Sequence, residues 1–344
     1  MSSISEYNCP NCNAGLEFSP ESQKWECHYC CSEFNKDEFD VAYMEKKGPN
    51  QEPIENLNSY SCTNCGAELI ADDTTAATFC IYCNSHSIIK NSFSGKFEPK
   101  SIIPFKLGKE EAKEIYNKWV NQRKFAPKGF KAKQELEKIT GIYVPFWLFD
   151  NTVKGRLNGE GIKINTWSDK EYKYTQTKYY SVLRECTAEY SGVPVDGLKK
   201  LDDSLMLGIE PYDYSELTDF SMKYMSGFMA EKYDVEIDEA ASIVNKRVKE
   251  YLSTKLDKAV TGYNKFTQNS KVISVPKMEY SYAMLPIYLL ITEYENKKYE
   301  FLINGQTGKI IGNPPIDRAK QIKYGLIVFI ISWLIIVFGG ALIG

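Results

Sequence analysis

Eight cysteines near the start of the chain limit its folding more than any other feature. They form four Cys-x-x-Cys pairs: Cys9/Cys12, Cys27/Cys30, Cys62/Cys65 and Cys80/Cys83. Fourteen residues separate the two pairs in each half, and all four positions recur at an offset of 53 residues. Tyr7-Asn-Cys-Pro-Asn-Cys is echoed by Tyr60-Ser-Cys-Thr-Asn-Cys, so a small unit is duplicated. Two residues between cysteines let a tight turn aim both sulfurs at one point. Two such knuckles complete a tetrahedral thiolate set around zinc, with no position left for water. A closed site of this kind supports structure and does not catalyse. Each unit has few apolar residues, so a metal must supply much of its folding energy. Iron would accept the same ligands; disulfides and a thioredoxin-like redox pair are the other rivals. Four-fold pairing at this spacing favours two structural Zn(2+) per chain. Gly66, Asn13 and Asn84 suit the left-handed conformation common after a knuckle. His28 and Cys31 read as surface residues beside a full site, and spacing favours Cys30 over Cys31 as the fourth ligand. His86 reads as a surface residue, and Cys186 as a small core residue in a strand.

Charge bears on what such units contact. The chain has 42 Lys and Arg against 45 Asp and Glu, a net charge of −3. Residues 1–100 carry seven Lys and fifteen Asp or Glu. Each zinc tetrathiolate adds about two further negative charges, whereas phosphate contact relies on cationic side chains. This sign disfavours nucleic acid and favours protein docking.

The far end has a different character. Gly325 to Gly344 is a run of twenty residues with no charge and one Ser. As a helix it spans about 30 Å, the thickness of a bilayer core. Arg318, Lys320 and Lys323 precede it and no cation follows, so the positive-inside rule keeps the preceding part in the cytosol. Tyr324 sits where an interfacial anchor belongs. The polar amino terminus lacks a signal-peptide core, which predicts a tail-anchored, single-pass protein of the cell membrane. A reducing cytosol agrees with thiolates on metal.

Between these ends the chain turns aromatic and β-branched. Helical spacing predicts helices over Lys109–Gln122 and from Ile237 to about Ala259. Strands are expected at Tyr143–Phe149, Thr152–Asn165, Tyr172–Tyr190 and Lys271–Ile311, with turns at Asn158-Gly159 and Asn304-Gly305. A pattern around proline recurs at Ile103–Leu107, Val144–Leu148 and Leu285–Leu289, which suggests sheet edges. The chain has no GxxxxGK[ST] phosphate loop, no GxSxG and no HExxH. Both histidines lie in the cysteine region, so no Ser–His or Cys–His nucleophile is available here. Asp202-Asp203 and the stretch Glu231–Glu239 read as helix caps or solvated residues.

The organisation expected is therefore multi-domain. Residues 5–33 and 59–88 are zinc ribbons, 34–58 and 89–100 linkers, 101–315 a β-rich α+β domain, and 324–344 a transmembrane helix. The duplicated pairs, Val144-Pro-Phe-Trp-Leu148, Leu285-Pro-Ile-Tyr-Leu289, Asn304-Gly-Gln-Thr-Gly308 and the final apolar run together resemble the bacterial YdjG-like family. Its members are usually labelled TFIIB-type zinc-ribbon-containing. The resemblance covers nearly the whole chain. It implies metal binding by Cys9, Cys12, Cys27 and Cys30 and by Cys62, Cys65, Cys80 and Cys83, and it carries over no catalytic residue. It further implies phage-shock-protein-A-like or flotillin-like partners in envelope stress. The expectation is a non-enzymatic membrane-anchored adaptor that recruits cytosolic partners, held to the lipid by its C-terminal helix. The alternative is a zinc-ribbon nucleic-acid-binding protein at the membrane.

Overall fold

A computed structural model describes residues 9–38, 58–71, 80–82, 88–92, 99–132 and 136–343. The strands β1 (Glu17–Ser19), β2 (Lys24–Glu26) and β3 (Glu33–Phe34) form a small antiparallel sheet in the first cysteine unit. Eleven further strands make one large sheet. They are β4 (Asn58–Cys62), β5 (Glu68–Ala71), β6 (Ile88–Ser92), β7 (Ser101–Ile102), β8 (Thr140–Ser168), β9 (Lys173–Asp196), β10 (Thr218–Asp219), β11 (Met229–Glu231), β12 (Lys265–Tyr294), β13 (Lys297–Asn304) and β14 (Ile310–Gly312). The order is β10-β7-β12-β8-β11-β5-β4-β6, with β9 alongside β8 and β13 and β14 alongside β12. The helices are α1 (Lys109–Gln122), α2 (Lys128–Ala132), α3 (Asp203–Gly208), α4 (Ile237–Lys258) and α5 (Arg318–Ile343).

The spine is the antiparallel pair β8 and β12, matched from Thr140↔Leu289 to Ile162↔Lys265. The first part of β8 is a continuous apolar run because both of its faces are covered. Tyr143 and Phe149 join α1, α4 and the first cysteine unit in one core. Ile142, Val144, Phe146 and Leu148 join α3 and Leu69 in the other. Past the irregularity at Phe149/Asn151 the pattern becomes alternating. Val153 and Leu157 are buried, whereas Lys154 and Arg156 are exposed. The helix α4 covers that one face with Ala240, Val244, Val248, Leu252 and Leu256, a helical repeat facing a period-two repeat. Both α1 and α4 lie where their periodicity placed them.

Several sequence expectations need correction. Asn158-Gly159 is no turn: it lies within β8, which runs unbroken through the two strands expected there. A Cβ on Gly159 would stand 2.4 Å from the Phe266 ring and from the Thr267 carbonyl, so the glycine is there for close approach. Asn304-Gly305 does turn, between β13 and β14, with the Asn304 Oδ1 accepting from the Gln306 and Thr307 amides. The prolines of the recurring pattern do not mark sheet edges either. Pro145 falls where the neighbour of β8 changes from β11 (up to Tyr143) to β9 (from Phe146). Pro286 falls where the neighbour of β12 changes from β7 (up to Met284) to β13 (from Ile287). Each is paired on the β8–β12 side and occupies a gap on the other, where no N–H is required.

The cysteine units are not separate beads. Unit one packs into the large core through Leu16, Phe18 and Trp25. Unit two puts β5 into the large sheet itself, paired with β11. Residues 89–92 of the expected second linker belong to the strand β6, beside β4.

Candidate metal centre

Each of the three described knuckles is a turn closed by its own backbone. The Cys9 amide donates to the Ala14 carbonyl at 2.6 Å, and the Asn13 amide donates to Cys9 at 2.8 Å. The same two bonds recur as Cys27 to Ser32 and Cys31 to Cys27, and as Cys62 to Ala67 and Gly66 to Cys62. The fifth residue of each of these three knuckles takes a positive φ, 65° at Asn13, 57° at Cys31 and 72° at Gly66. This assigns Cys31 its place. It fills the turn position that glycine fills in unit two, and its side chain is exposed.

The turns bring Cys9, Cys12, Cys27 and Cys30 together, with sulfurs all within 4.8 Å of one another. Cys9 and Cys30 are 3.5 Å apart, and Cys12 and Cys27 are 3.4 Å apart. Zinc–sulfur bonds of about 2.3 Å in a tetrahedron require sulfurs about 3.8 Å apart, so this cage is the right size. Cys62, Cys65 and Cys80 meet the same 4.8 Å criterion, with Cys65 and Cys80 at 3.5 Å. Cys83, the expected fourth ligand, lies outside the described residues, as do His86 and Asn84. His28 is exposed and turned to the Glu17 carboxylate at 3.1 Å, away from the sulfurs. Cys186 is half-buried on β9 opposite Gly155.

Proton chemistry in the first quartet favours a cation. The Ser32 hydroxyl, 3.2 Å away, helps hold the Cys30 thiol down at about 6. The Cys12 thiol accepts from the Ala14 amide, which lowers it, yet burial and its neighbours Cys30, Cys27 and Cys9 push it up to about 12. Burial also raises Cys9. Four thiols this close cannot all ionise alone. A divalent ion allows them to, and its binding then releases protons. These donors fit zinc, with Cys9, Cys12, Cys27 and Cys30 as the set that would hold it.

Both units are anchored to one short segment. The Trp25 indole N–H donates to the Lys223 carbonyl at 2.8 Å, and the Phe18 amide donates to the Ser226 carbonyl at 3.2 Å. Five residues further on, the Tyr82 hydroxyl of unit two donates to the Glu231 carboxylate, which also meets Lys200 Nζ at 3.1 Å. Glu231, read from the sequence as a helix cap or a solvated residue, is instead buried in β11, with its pKa driven up by that burial. Its partners lie far away in sequence, so no local pattern could have marked it. Asp202 does cap α3, accepting from the Ser204 and Leu205 amides, as expected.

Fold and site together define a β-rich protein with paired cysteine clusters toward its N-terminus and one apolar helix toward its C-terminus. The chain is 30% identical over 317 residues, 92% of each chain, to the uncharacterized protein YdjG of Bacillus subtilis (strain 168). It belongs to the YdjG family. No family model matches it, and no solved structure does.

The knuckle geometry separates Cys30 from Cys31 experimentally. Cys31→Gly is expected to keep the full metal content and to add about 0.5–1 kcal/mol of stability by relieving the left-handed backbone. Cys30→Ser is expected to lose one ion per chain. Native mass spectrometry and chemical denaturation read both.

Proposed function

We propose that this protein is a non-enzymatic, membrane-anchored adaptor whose two zinc ribbons are structural staples. The observation that carries the reading is the joining of two sulfur clusters, Cys9/Cys12/Cys27/Cys30 and Cys62/Cys65/Cys80, and an apolar helix in one chain. Thiolate sets without an open position stabilise structure and leave no place for a substrate. The helix supports the membrane half of the reading. The stretch Arg318–Ile336 is long and apolar enough to cross a membrane, and none of it is buried against the protein. Arg318, Lys320 and Lys323 ahead of the apolar run favour a cytoplasmic body and a single span. Tethering raises local concentration, so modest contacts suffice to hold a partner at the membrane.

The rigid docking of both ribbons on one segment changes how recruitment would work. Partners would meet a composite surface of ribbon and sheet, whose shape depends on metal. A phage-shock-protein-A-like partner is the one the family resemblance suggests. Affinity capture from solubilised membranes tests this. The full chain should recover a membrane-stress protein, and Cys62→Ser/Cys65→Ser should recover at least about ten-fold less. Equal recovery from both would remove the second ribbon from the mechanism.

A further inference from the structure

Charge is unevenly spread where α5 leaves the body. The chain as a whole is acidic, with a net charge of −3. At the root of α5, however, three separate stretches bring cations together. The Asp317 amide donates to the Phe125 carbonyl at 2.8 Å, and Lys320 Nζ donates to the Ala126 carbonyl at 3.4 Å. The rings of Phe125 and Tyr324 meet edge to face at 5.7 Å. These contacts hold the connection between α1 and α2 against the first turns of α5. That connection carries Arg123 and Lys124, and α2 opens on Lys128, all exposed.

The turn between β12 and β13 reaches the same place. Phe130 of α2 packs on Tyr294 and Tyr299 at 5.5 and 5.6 Å. Exposed Lys297 shares with Arg318 and Gln321 a cleft of about 790 Å³. The carboxylates in these stretches are outnumbered by the cations. Asp317 caps α5 by accepting from the Lys320 amide and pairs with Lys320 Nζ at 3.4 Å. Glu293 stands opposite Lys298 in the ladder. That leaves Glu295 against Arg123, Lys124, Lys128, Lys297, Arg318 and Lys323.

The geometry points to a collar around the root of α5 that binds anionic phospholipid headgroups. It rests on the reading of α5 as a membrane anchor. Cations that ring such a helix sit at the depth of the headgroups, where each is worth about five-fold in attraction to an acidic leaflet at moderate salt. Four of them come from the folded body and not from the helix. The collar therefore fixes how the body stands on the membrane as well as strengthening its hold.

Native mass spectrometry of the full chain tests this, in detergent carrying equal phosphatidylglycerol and phosphatidylcholine. The wild type should retain phosphatidylglycerol at least about ten-fold over phosphatidylcholine, as compounded attraction from several cations requires. Lys124→Ser/Lys128→Ser/Lys297→Ser should lower that ratio at least about five-fold, and the same three positions changed to Arg should restore it. This variant spares Arg123, which stacks on Trp119 at 4.1 Å, and the cations of α5 itself. No preference in the wild type, or a preference unchanged in the Ser variant, overturns the collar. Carbonate extraction of native membranes separates the two readings. A chain released by carbonate overturns the anchor and the collar together, whereas a retained chain indifferent to phosphatidylglycerol overturns the collar alone.

Discussion

Chelation of the metal is expected to unfold both cysteine units while the long strands and α4 stay folded. Unit one buries Leu16, Phe18 and Trp25 in the shared core, but its three strands are only two or three residues long. Such strands do not persist without a cross-link. Metal binding supplies about 10–16 kcal/mol in small zinc-dependent units, far more than these contacts. The pair β8 and β12 does not depend on the clusters, because α4 covers it directly through Val244, Val248 and Leu252. Hydrogen exchange of the chelated protein should therefore show lost protection at residues 9–34 and 58–71 and retained protection at 142–149 and 240–256. Residues 222–231 should also lose protection, because unit one rests on their first half and unit two on their last. Uniform unfolding of the whole chain would make the metal part of the global fold. Unchanged exchange would show that the units stand without it.

The parts that were legible in the sequence are those with local causes. The cysteines could be paired by their spacing because each described knuckle is a self-contained turn. The helices α1 and α4 declare themselves because their buried residues recur every three or four positions along one stretch. What could not be read is set by distant partners. The bond from Trp25 to Lys223 crosses 198 residues, and that from Tyr82 to Glu231 crosses 149. Nothing near either residue records such a partner, so the cysteine units read as beads on linkers. Gly159 misled for a related reason. Asn-Gly is a strong turn signal locally, but the space this glycine opens is filled by Phe266 from another strand. Pro145 and Pro286 likewise carry a meaning visible only once their two neighbours on either side of the gap are known.

Trp25→Ala is expected to detach unit one and to cost about 3–5 kcal/mol, the range for truncating a buried aromatic. Trp25 is 1% exposed, with Phe18 at 5.2 Å and Tyr224 at 5.4 Å between ring centroids. Lys223 Nζ lies 5.0 Å over its ring, and the Lys223 carbonyl takes its indole N–H. Alanine removes ring, cation contact and hydrogen bond together, and it leaves a cavity between the small sheet and residues 222–225. Trp25→Phe keeps most of the packing and gives up only the indole hydrogen bond, so it should cost about 0.5–1.5 kcal/mol, because the Lys223 carbonyl still accepts from the Ser226 amide at 3.4 Å. The metal supplies a second readout. Knuckle turns close by their own backbone bonds, so the detached unit should still bind its ion but release it faster to a chelator. Release from unit two should change less, because its attachment runs through β5, Leu69 and Glu231. Two-phase release, with only the phase belonging to Cys9, Cys12, Cys27 and Cys30 accelerated, would show that docking and chelation are separate stabilising acts. Complete loss of that ion in Trp25→Ala would instead mean that the cage needs the body in order to close.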